Sequence, residues 1–174
     1  MKTLIDHLAQ YAAYHRDPRN IHTHFVGVPM IMFAVVVLLS RPVWWLGMVP
    51  VSPALACAVA AGIFYLRLDV RLGLVMSALL AAMLAGAAAM APLGTTAWLA
   101  WGLGLFAVGW VIQFVGHYFE GRKPAFVDDV MGLLVGPLFV VAEWGFGLGL
   151  RAEVQHAVEQ RSGPVRRRDL RQTA

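Results

Sequence analysis

Three histidines lie where apolar stretches of this chain begin or end. His15 lies near the end of an N-terminal segment, His24 just before the first long apolar stretch, and His117 near the end of a later one. Ionisable side chains close to a bilayer core are costly, so they usually mark function. Neutral imidazole is the commonest metal ligand in proteins. The three positions therefore predict a shared metal site.

The residues around these histidines strengthen this interpretation. Glu120 follows His117 by three residues, so in a helix both side chains lie on one face and can ligate one ion. Gln113 lies one turn earlier on that face and can support the ligands. A proline-containing turn separates His15 from His24 and allows both to fold towards a common point. Imidazoles with one carboxylate suit iron, zinc or manganese, and three such ligands with open positions suit O2 chemistry on non-haem iron.

The other histidines have simpler interpretations. His7 and His156 are predicted to be caps or headgroup contacts, which is the commoner role of a lone histidine at a helix end. His22 lies two residues from His24, so a supporting role beside a ligand stays open for it.

The acidic candidates also have a second interpretation. Glu120 with Arg122 and Lys123 can form a solvated charge cluster instead of a site. Glu143 is a weaker candidate, which either pairs with an arginine or lines a cavity.

The composition indicates which elements must position these residues. Of 174 residues, 59% are hydrophobic and only 14% are charged, whereas a soluble domain carries about 25% charged residues. No Lys, Arg, Asp or Glu occurs from Pro42 to Leu66 or from Gly73 to Phe119. A soluble fold of this size cannot hide so much apolar chain from water. The sequence therefore predicts an integral membrane protein.

The fold class expected is all-α, a polytopic membrane bundle with an N-terminal amphipathic helix and four to five hydrophobic helices. The amphipathic helix is predicted over residues 3–15 and is ended by Asp17-Pro18. Trp44 and Trp45 mark an interfacial stretch over residues 43–49. Gly136-Pro137 is predicted to interrupt the last apolar segment, which Asp128-Asp129 can cap. The predicted apolar segments are Phe25–Ser40, a span from Pro53 to Leu66, Leu72–Met90, Ala97–Phe119 and Val130–Leu150.

Charge placement predicts the topology of these segments. With a cytoplasmic N-terminus and four crossings, only Arg41 of the basic residues before Arg151 faces outward. A fifth full crossing would place six arginines on the wrong face, so residues 130–150 are predicted to be bent or re-entrant. All three histidine segments then lie at the cytoplasmic face. The composition, rich in Ala, Gly and Arg, suggests a bacterial inner membrane.

The basic C-terminal segment is expected to be a separate part of the chain. Residues 1–150 are predicted to form the membrane domain and residues 151–174 a basic, flexible tail. A tail of this kind usually lies on anionic headgroups. Nucleic acid is not an expected partner, because no aromatic residue interleaves with the arginines. The arginines of this tail after Arg151 are Arg161, Arg166, Arg167, Arg168 and Arg171.

At the histidine segments the sequence resembles the Mpo1-like (DUF962) family, in order over most of residues 1–150. The match covers the histidine-containing blocks specifically, and the apolar stretches only in character. His22 does not fall on a family position. The matching residues are Tyr14-His15, Asn20, Thr23-His24, Pro29, Gly116-His117, Glu120, Arg122 and Lys123-Pro124-Ala125.

The resemblance implies an Fe(II)-dependent dioxygenase that uses O2 to shorten a 2-hydroxy fatty acid by one carbon, releasing CO2. His15, His24 and His117 would be iron ligands, and Glu120 a fourth ligand or a base. An α-hydroxy carboxylate can chelate a metal through two oxygens, and its acyl chain would lie between helices among membrane lipids. The residues expected near the substrate are Arg122, Lys123, Asn20 and Gln113.

Two rival classes of protein stay open at this point. In a membrane metal-binding or transport protein, the same histidines would pass an ion onward. Acidic residues along a span would favour that class, and the central apolar stretches contain none. In a non-catalytic lipid-binding membrane protein, loss of His117 would cause no biochemical defect beyond stability.

Overall fold

A computed structural model of the chain describes residues 2–170 and is almost entirely helical there, which confirms the predicted fold class. Its elements are α1 (Leu4–Ala12), α2 (Pro18–Leu39), β1 (Trp44–Leu46), β2 (Val49–Val51), α3 (Pro53–Leu68), α4 (Val70–Ala89), α5 (Thr95–Glu120), a 3-10 turn (Ala125–Val127), α6 (Gly132–Gly147) and α7 (Ala152–Ser162). The predicted residue Arg171 lies outside the described part.

Helix α1 is fixed at its start by a capping box. The Thr3 side chain accepts from the Asp6 amide, and the Asp6 carboxylate accepts from the Thr3 amide. This exchange satisfies two of the amides that a helix start leaves free. The helix ends at Ala12, not at Asp17-Pro18 as predicted, so His15 lies in the following turn.

Helix α2 begins earlier than predicted. Pro18 is its first residue, a position where the missing N–H of proline costs nothing. His24 therefore lies in the second turn of a helix instead of before one. Pro29 lies well inside the same helix, which continues through it to Leu39.

The predicted interfacial stretch forms a small hairpin. Strands β1 and β2 are antiparallel, with Trp44 opposite Val51 and Trp45 opposite Pro50. Gly47 turns the chain with a φ of +64°, a conformation that residues with a side chain seldom adopt. Both tryptophans are exposed, as expected for residues of an interfacial belt. Sequence periodicity did not predict these strands, because each has only three residues.

Helices α3 and α4 meet at a very tight junction. Asp69 alone separates them, and its side chain caps α4 by accepting from the Leu72 amide at 2.9 Å. Gly73 permits this closeness, because a Cβ there would lie 2.6 Å from the Leu66 Cα. Ser52 caps the start of α3 in the same way through the Leu55 amide. Of the residues between the two predicted apolar segments, only Asp69 therefore lies outside the helices.

Residues 29–109 have a core of their own. Val36 and Val37 of α2, Ala54 of α3 and Ala87 of α4 form its buried centre. Trp98 of α5 packs on this cluster and donates its indole N–H to the Val37 carbonyl at 2.8 Å. The polar atom of a large aromatic group is thereby satisfied inside an apolar region.

The bend predicted near Gly136-Pro137 lies elsewhere. Helix α6 continues through Pro137 to Gly147, and the chain turns by 118° between α6 and α7. Arg151 lies at this bend with a φ of +57°. Helix α7 then packs on α1 through the buried Val154 and Val158. The division of the chain at residue 151 into domain and tail stays a prediction.

Three helices are long and apolar enough to cross a membrane, namely α2, α4 and α5. The bent pair of α6 and α7 would make a fourth if it counts as one span, and α3 is apolar but only 16 residues long. Crossing the hydrocarbon takes about 20 helical residues. The protein is therefore a membrane protein, and its predicted four crossings and cytoplasmic orientation stay predictions.

Candidate metal centre

The structure brings His15, His24 and His117 together. One ring nitrogen from each lies within 4.8 Å of one from each of the others, and all three side chains are buried. His15 comes from the turn after α1, His24 from the second turn of α2 and His117 from the last turn of α5. Three separate elements thus bring these rings close together, and their role as metal ligands stays a prediction.

Hydrogen bonds fix the tautomers of two of these rings. The Nδ1 of His15 lies 2.8 Å from the Tyr11 carbonyl, and the Nδ1 of His24 lies 2.9 Å from the Asn20 carbonyl. A carbonyl only accepts, so each Nδ1 must carry hydrogen and donate it. In the neutral rings each Nε2 is then left with a lone pair.

Those two Nε2 atoms face each other at 3.0 Å. Neither has a hydrogen to share, so two lone pairs meet at hydrogen-bond distance. Protonating one ring would relieve the clash, but burial lowers the pKa of His15 well below its usual value, and the neighbouring His24 lowers it further. A metal cation held by both nitrogens would satisfy the two lone pairs without placing a proton in a buried site.

The 3.0 Å distance between Nε2 of His15 and Nε2 of His24 also fits a shared metal ion. Two imidazole nitrogens about 2.1 Å from an ion, at an angle of about 90°, lie about 3.0 Å apart. Tyr11 stacks on the His15 ring at 4.2 Å between centroids and holds its plane. The carbonyls that accept from Nδ1 of His15 and of His24 are partners of the kind that orient metal-binding histidines in known sites. The His15 and His24 nitrogens therefore fit a shared transition metal, and His117 lies in the same group of potential ligands.

Other polar atoms beside the cluster are buried without a partner among the described residues. They are Nδ1 of His117, both polar atoms of the Gln113 side chain and Oδ1 of Asn20. Buried polar atoms are almost always hydrogen-bonded in folded proteins. Several such atoms at one place indicate that the site receives a polar ligand or water. Asn20 contacts His24 through its carbonyl and Gln113 lies one helical turn before His117, while the roles predicted for both stay predictions.

Glu120 lies beside the cluster but is not among the grouped ligand atoms. Its carboxylate accepts from the Arg16 amide at 3.0 Å, the Asp17 amide at 2.8 Å and Nδ2 of Asn20 at 3.1 Å. These donors lie in the turn and first helical residues between His15 and His24. In this arrangement Glu120 fixes the geometry of that turn. Sequence spacing could not reveal this, because the donors are mostly backbone amides about 100 positions away.

Gly116 allows α2 and α5 to approach closely at the site. A Cβ at this position would overlap the Thr23 hydroxyl and would lie 2.5 Å from Oδ1 of Asn20. Only glycine lets the helix with His117 pack this closely against the helix with His24. In the sequence Gly116 is only one position of a motif, and the structure supplies its physical role.

A buried ion pair that sequence reasoning missed supports the same turn. Asp17 is 1% exposed and accepts from the Arg19 guanidinium at 2.7 Å and from the Arg168 amide at 2.8 Å. Burial alone raises the pKa of Asp17, but these hydrogen bonds outweigh it and lower the pKa to about 2. Alternating charges around Pro18 were the available signal. Arg16 also approaches Glu143 to 3.8 Å, one of the two roles predicted for Glu143.

The remaining histidines lie apart from the cluster. His22 is exposed, and its ring meets the Phe25 ring edge-on with 5.8 Å between the ring centroids. His156 is also exposed and hydrogen-bonds to Gln160. His7 lines a small cleft with Tyr14. None of these three belongs to the group of metal-competent atoms in the described chain.

A cavity of about 660 Å³ opens beside His117. Arg122 and Lys123 line it, as do the rings of Phe114 and Tyr118. Arg122 also donates to the Ala13 carbonyl at 2.7 Å, and Lys123 pairs with Asp128 at 2.6 Å. This volume is typical of ligand sites in proteins. The predicted substrate contacts Arg122 and Lys123 thus lie at a cavity that reaches a histidine of the cluster.

The fold and the cluster define a helical membrane protein with a buried three-histidine centre at helix ends. Residues 1–147 match the family described as 2-hydroxy-palmitic acid dioxygenase Mpo1-like, and the chain belongs to this family, as its motifs predicted. It is similar to the 2-hydroxy-palmitic acid dioxygenase MPO1 of Saccharomyces cerevisiae, at 33% identity over 94% of this chain and 91% of the yeast protein. No solved structure matches the chain.

Proposed function

We propose that the protein is an Fe(II)-dependent dioxygenase that shortens 2-hydroxy fatty acids by one carbon. One 2-hydroxy fatty acid and one O2 give one fatty acid shorter by a carbon, one CO2 and one water, so atoms and electrons balance. The observation that carries the proposal is the pair of facing Nε2 lone pairs in a buried cluster with His117. The name of the yeast relative supports the substrate class.

The three histidines and the residues that orient them have defined roles in this proposal. His15, His24 and His117 would hold the iron, which would supply the electron transfer to O2 that side chains cannot perform. The Tyr11 and Asn20 carbonyls keep two of the rings in the tautomer that leaves Nε2 free. Burial of the rings limits water at the reacting centre, which suppresses side reactions of reactive species.

The cavity beside His117 is the proposed substrate entrance. Its cationic residues attract a carboxylate, and the rings of Phe114 and Tyr118 offer apolar contact to the first carbons of the acyl chain. The distal chain would continue among apolar helices or lipid. We place this entrance at the cytoplasmic face of the bacterial inner membrane, from the distribution of basic residues.

The proposal is tested by O2 uptake of the detergent-purified, Fe(II)-loaded protein given 2-hydroxypalmitate. We expect uptake with stoichiometric pentadecanoate and CO2, none with palmitate, which lacks the hydroxyl group, and none from His117→Ala. His22→Ala, which changes an exposed histidine two residues from the cluster, should keep full activity. Uptake that produces no shortened acid would overturn the proposed reaction.

The same experiment separates the rival classes. Metal bound stoichiometrically without turnover would favour a metal-binding or transport protein, and neither metal nor turnover would leave a lipid-binding membrane protein. The apolar helices do not favour ion transport, because the stretches from 42 to 66 and from 73 to 119 contain no Lys, Arg, Asp or Glu.

A further inference from the structure

The C-terminal segment after α7 runs along the turn that carries the metal cluster. The Arg166 amide donates to the Arg16 carbonyl at 2.9 Å, and the Arg16 guanidinium donates to the Gly163 carbonyl at 2.8 Å. The Arg168 amide donates to buried Asp17, and Arg19 donates back to the Arg168 carbonyl at 2.9 Å. The backbone of Arg168 is therefore held on both sides.

This anchoring directs the Arg168 side chain to the cavity at His117. Its guanidinium lies over Gly121, in the space that a Cβ would occupy there. Gly121 has a φ of +70°, so glycine is favoured at this position for two independent reasons. Arg168 lines the cavity together with His117, although 51 positions separate them in sequence.

The three cations at the cavity differ in how they are already engaged. Lys123 is paired with Asp128, and Arg122 donates to the Ala13 carbonyl. The Arg168 guanidinium makes no ion pair or hydrogen bond with residues 2–170, and no acidic residue lines the cavity. Guanidinium presents two parallel donors that match a carboxylate. Arg168 is thus the cation best placed to receive an anionic group.

We infer that Arg168 binds the carboxylate of the fatty acid substrate and directs its 2-hydroxy end towards the histidine cluster. The inference rests on the proposed function, because the substrate class comes from there. It assigns a substrate contact to a residue outside residues 1–147, the part that matches the family. An anionic lipid headgroup offers similar chemistry, so the test must separate the two sources.

The test compares Arg168→Gln with Arg167→Gln, its exposed neighbour. Equilibrium binding of radiolabelled 2-hydroxypalmitate is measured without O2, in nanodiscs of phosphatidylcholine alone, and KM and kcat are measured in parallel. Losing a charge-assisted pair typically weakens binding about tenfold or more. We expect that loss for Arg168→Gln, with a matching rise in KM and little change in kcat, and no loss for Arg167→Gln.

A ligand-side control isolates the carboxylate. Hexadecane-1,2-diol keeps the hydroxyl group and the chain but has no carboxylate, so it should bind wild type and Arg168→Gln equally. Equal weakening for the diol and the acid would mean that the substitution merely disturbs the fold, and would overturn the inference. Metal content, which should be unchanged in Arg168→Gln, checks the fold independently of activity.

The remaining outcomes separate the two proposals. If the effect of Arg168→Gln appears only when phosphatidylglycerol is added, Arg168 contacts lipid headgroups and the inference fails. If wild type turns over and Arg168→Gln binds the acid as well as wild type does, the inference fails alone. If binding depends on Arg168 but O2 uptake is absent, the carboxylate site stands and the proposed reaction fails.

Discussion

Two regions of the molecule use burial in opposite ways. In the histidine-bearing region, residues 2–28 and 110–170, six polar or charged side chains are buried, among them all three cluster histidines. In the apolar region, residues 29–109, the buried core side chains are hydrophobic, with the Tyr65 hydroxyl the one polar group they carry among the described residues. Burying polar groups costs free energy unless they find partners. The comparison indicates that one region is shaped for a site and the other for packing.

Among residues that support the cluster without belonging to it, the largest effect should follow from removing the acceptor that holds the histidine turn. Glu120→Ala leaves the Arg16 and Asp17 amides without their partner, and loss of such supporting contacts lowers metal affinity about 10–100-fold. We expect this fall in affinity for Fe(II) or Co(II), measured by competition with a chelating dye.

Two matched variants give this prediction its control. Glu120→Gln should be intermediate, because one amide oxygen replaces two carboxylate oxygens. Glu153→Ala, which removes an exposed glutamate of α7, should bind metal as wild type does. A Glu120→Ala protein with unchanged affinity would show that the turn does not depend on this carboxylate.

A steric change in the apolar region should lower stability without touching the site. Gly73→Ala places a Cβ against the Leu66 backbone, and overpacking of this kind costs about 1–3 kcal/mol of unfolding free energy. We expect a lower thermal midpoint in detergent with one metal still bound per folded chain. Gly104→Ala, at a glycine with open space around it, is the matched control and should be neutral or slightly stabilising.

The smallest effects come from matched helix caps, one in each region. Thr3→Ala and Ser52→Ala each remove a side chain that accepts from a backbone amide, which costs about 1 kcal/mol. Only Thr3→Ala should also weaken metal binding, by a few fold, because α1 supplies the Tyr11 carbonyl that orients His15. Equal metal affinities in the two variants would contradict the division between the regions.

The sequence predicted the convergence of the histidines for a physical reason. Helix length and charge placement predict which helix ends share a membrane face, and from this His15, His24 and His117 were expected at one site. The ends of helices were less predictable. A proline disfavours helical geometry in the residue before it, and Asp17-Pro18 was therefore expected to end the first helix. Proline is also favourable as the first residue of a helix, and Pro18 begins α2.

Other features depend on contacts that no local pattern records. Glu120 has the spacing of a ligand, yet its oxygens meet amides of a turn that only the folded chain brings near. Pro137 has the local character of a break, but packing maintains α6 through it, and the bend falls after Gly147. Arg168 looked like one of several equivalent tail charges until its neighbours in space were known.

The central claim is that three of the six histidines form one metal site. Iron content per chain, measured by mass spectrometry after Fe(II) loading and desalting, tests it with single alanine variants at all six positions. The account predicts about one iron in wild type and in His7→Ala, His22→Ala and His156→Ala, and almost none in His15→Ala, His24→Ala and His117→Ala. Retention of iron by folded cluster variants, or its loss from the other three, would contradict the account.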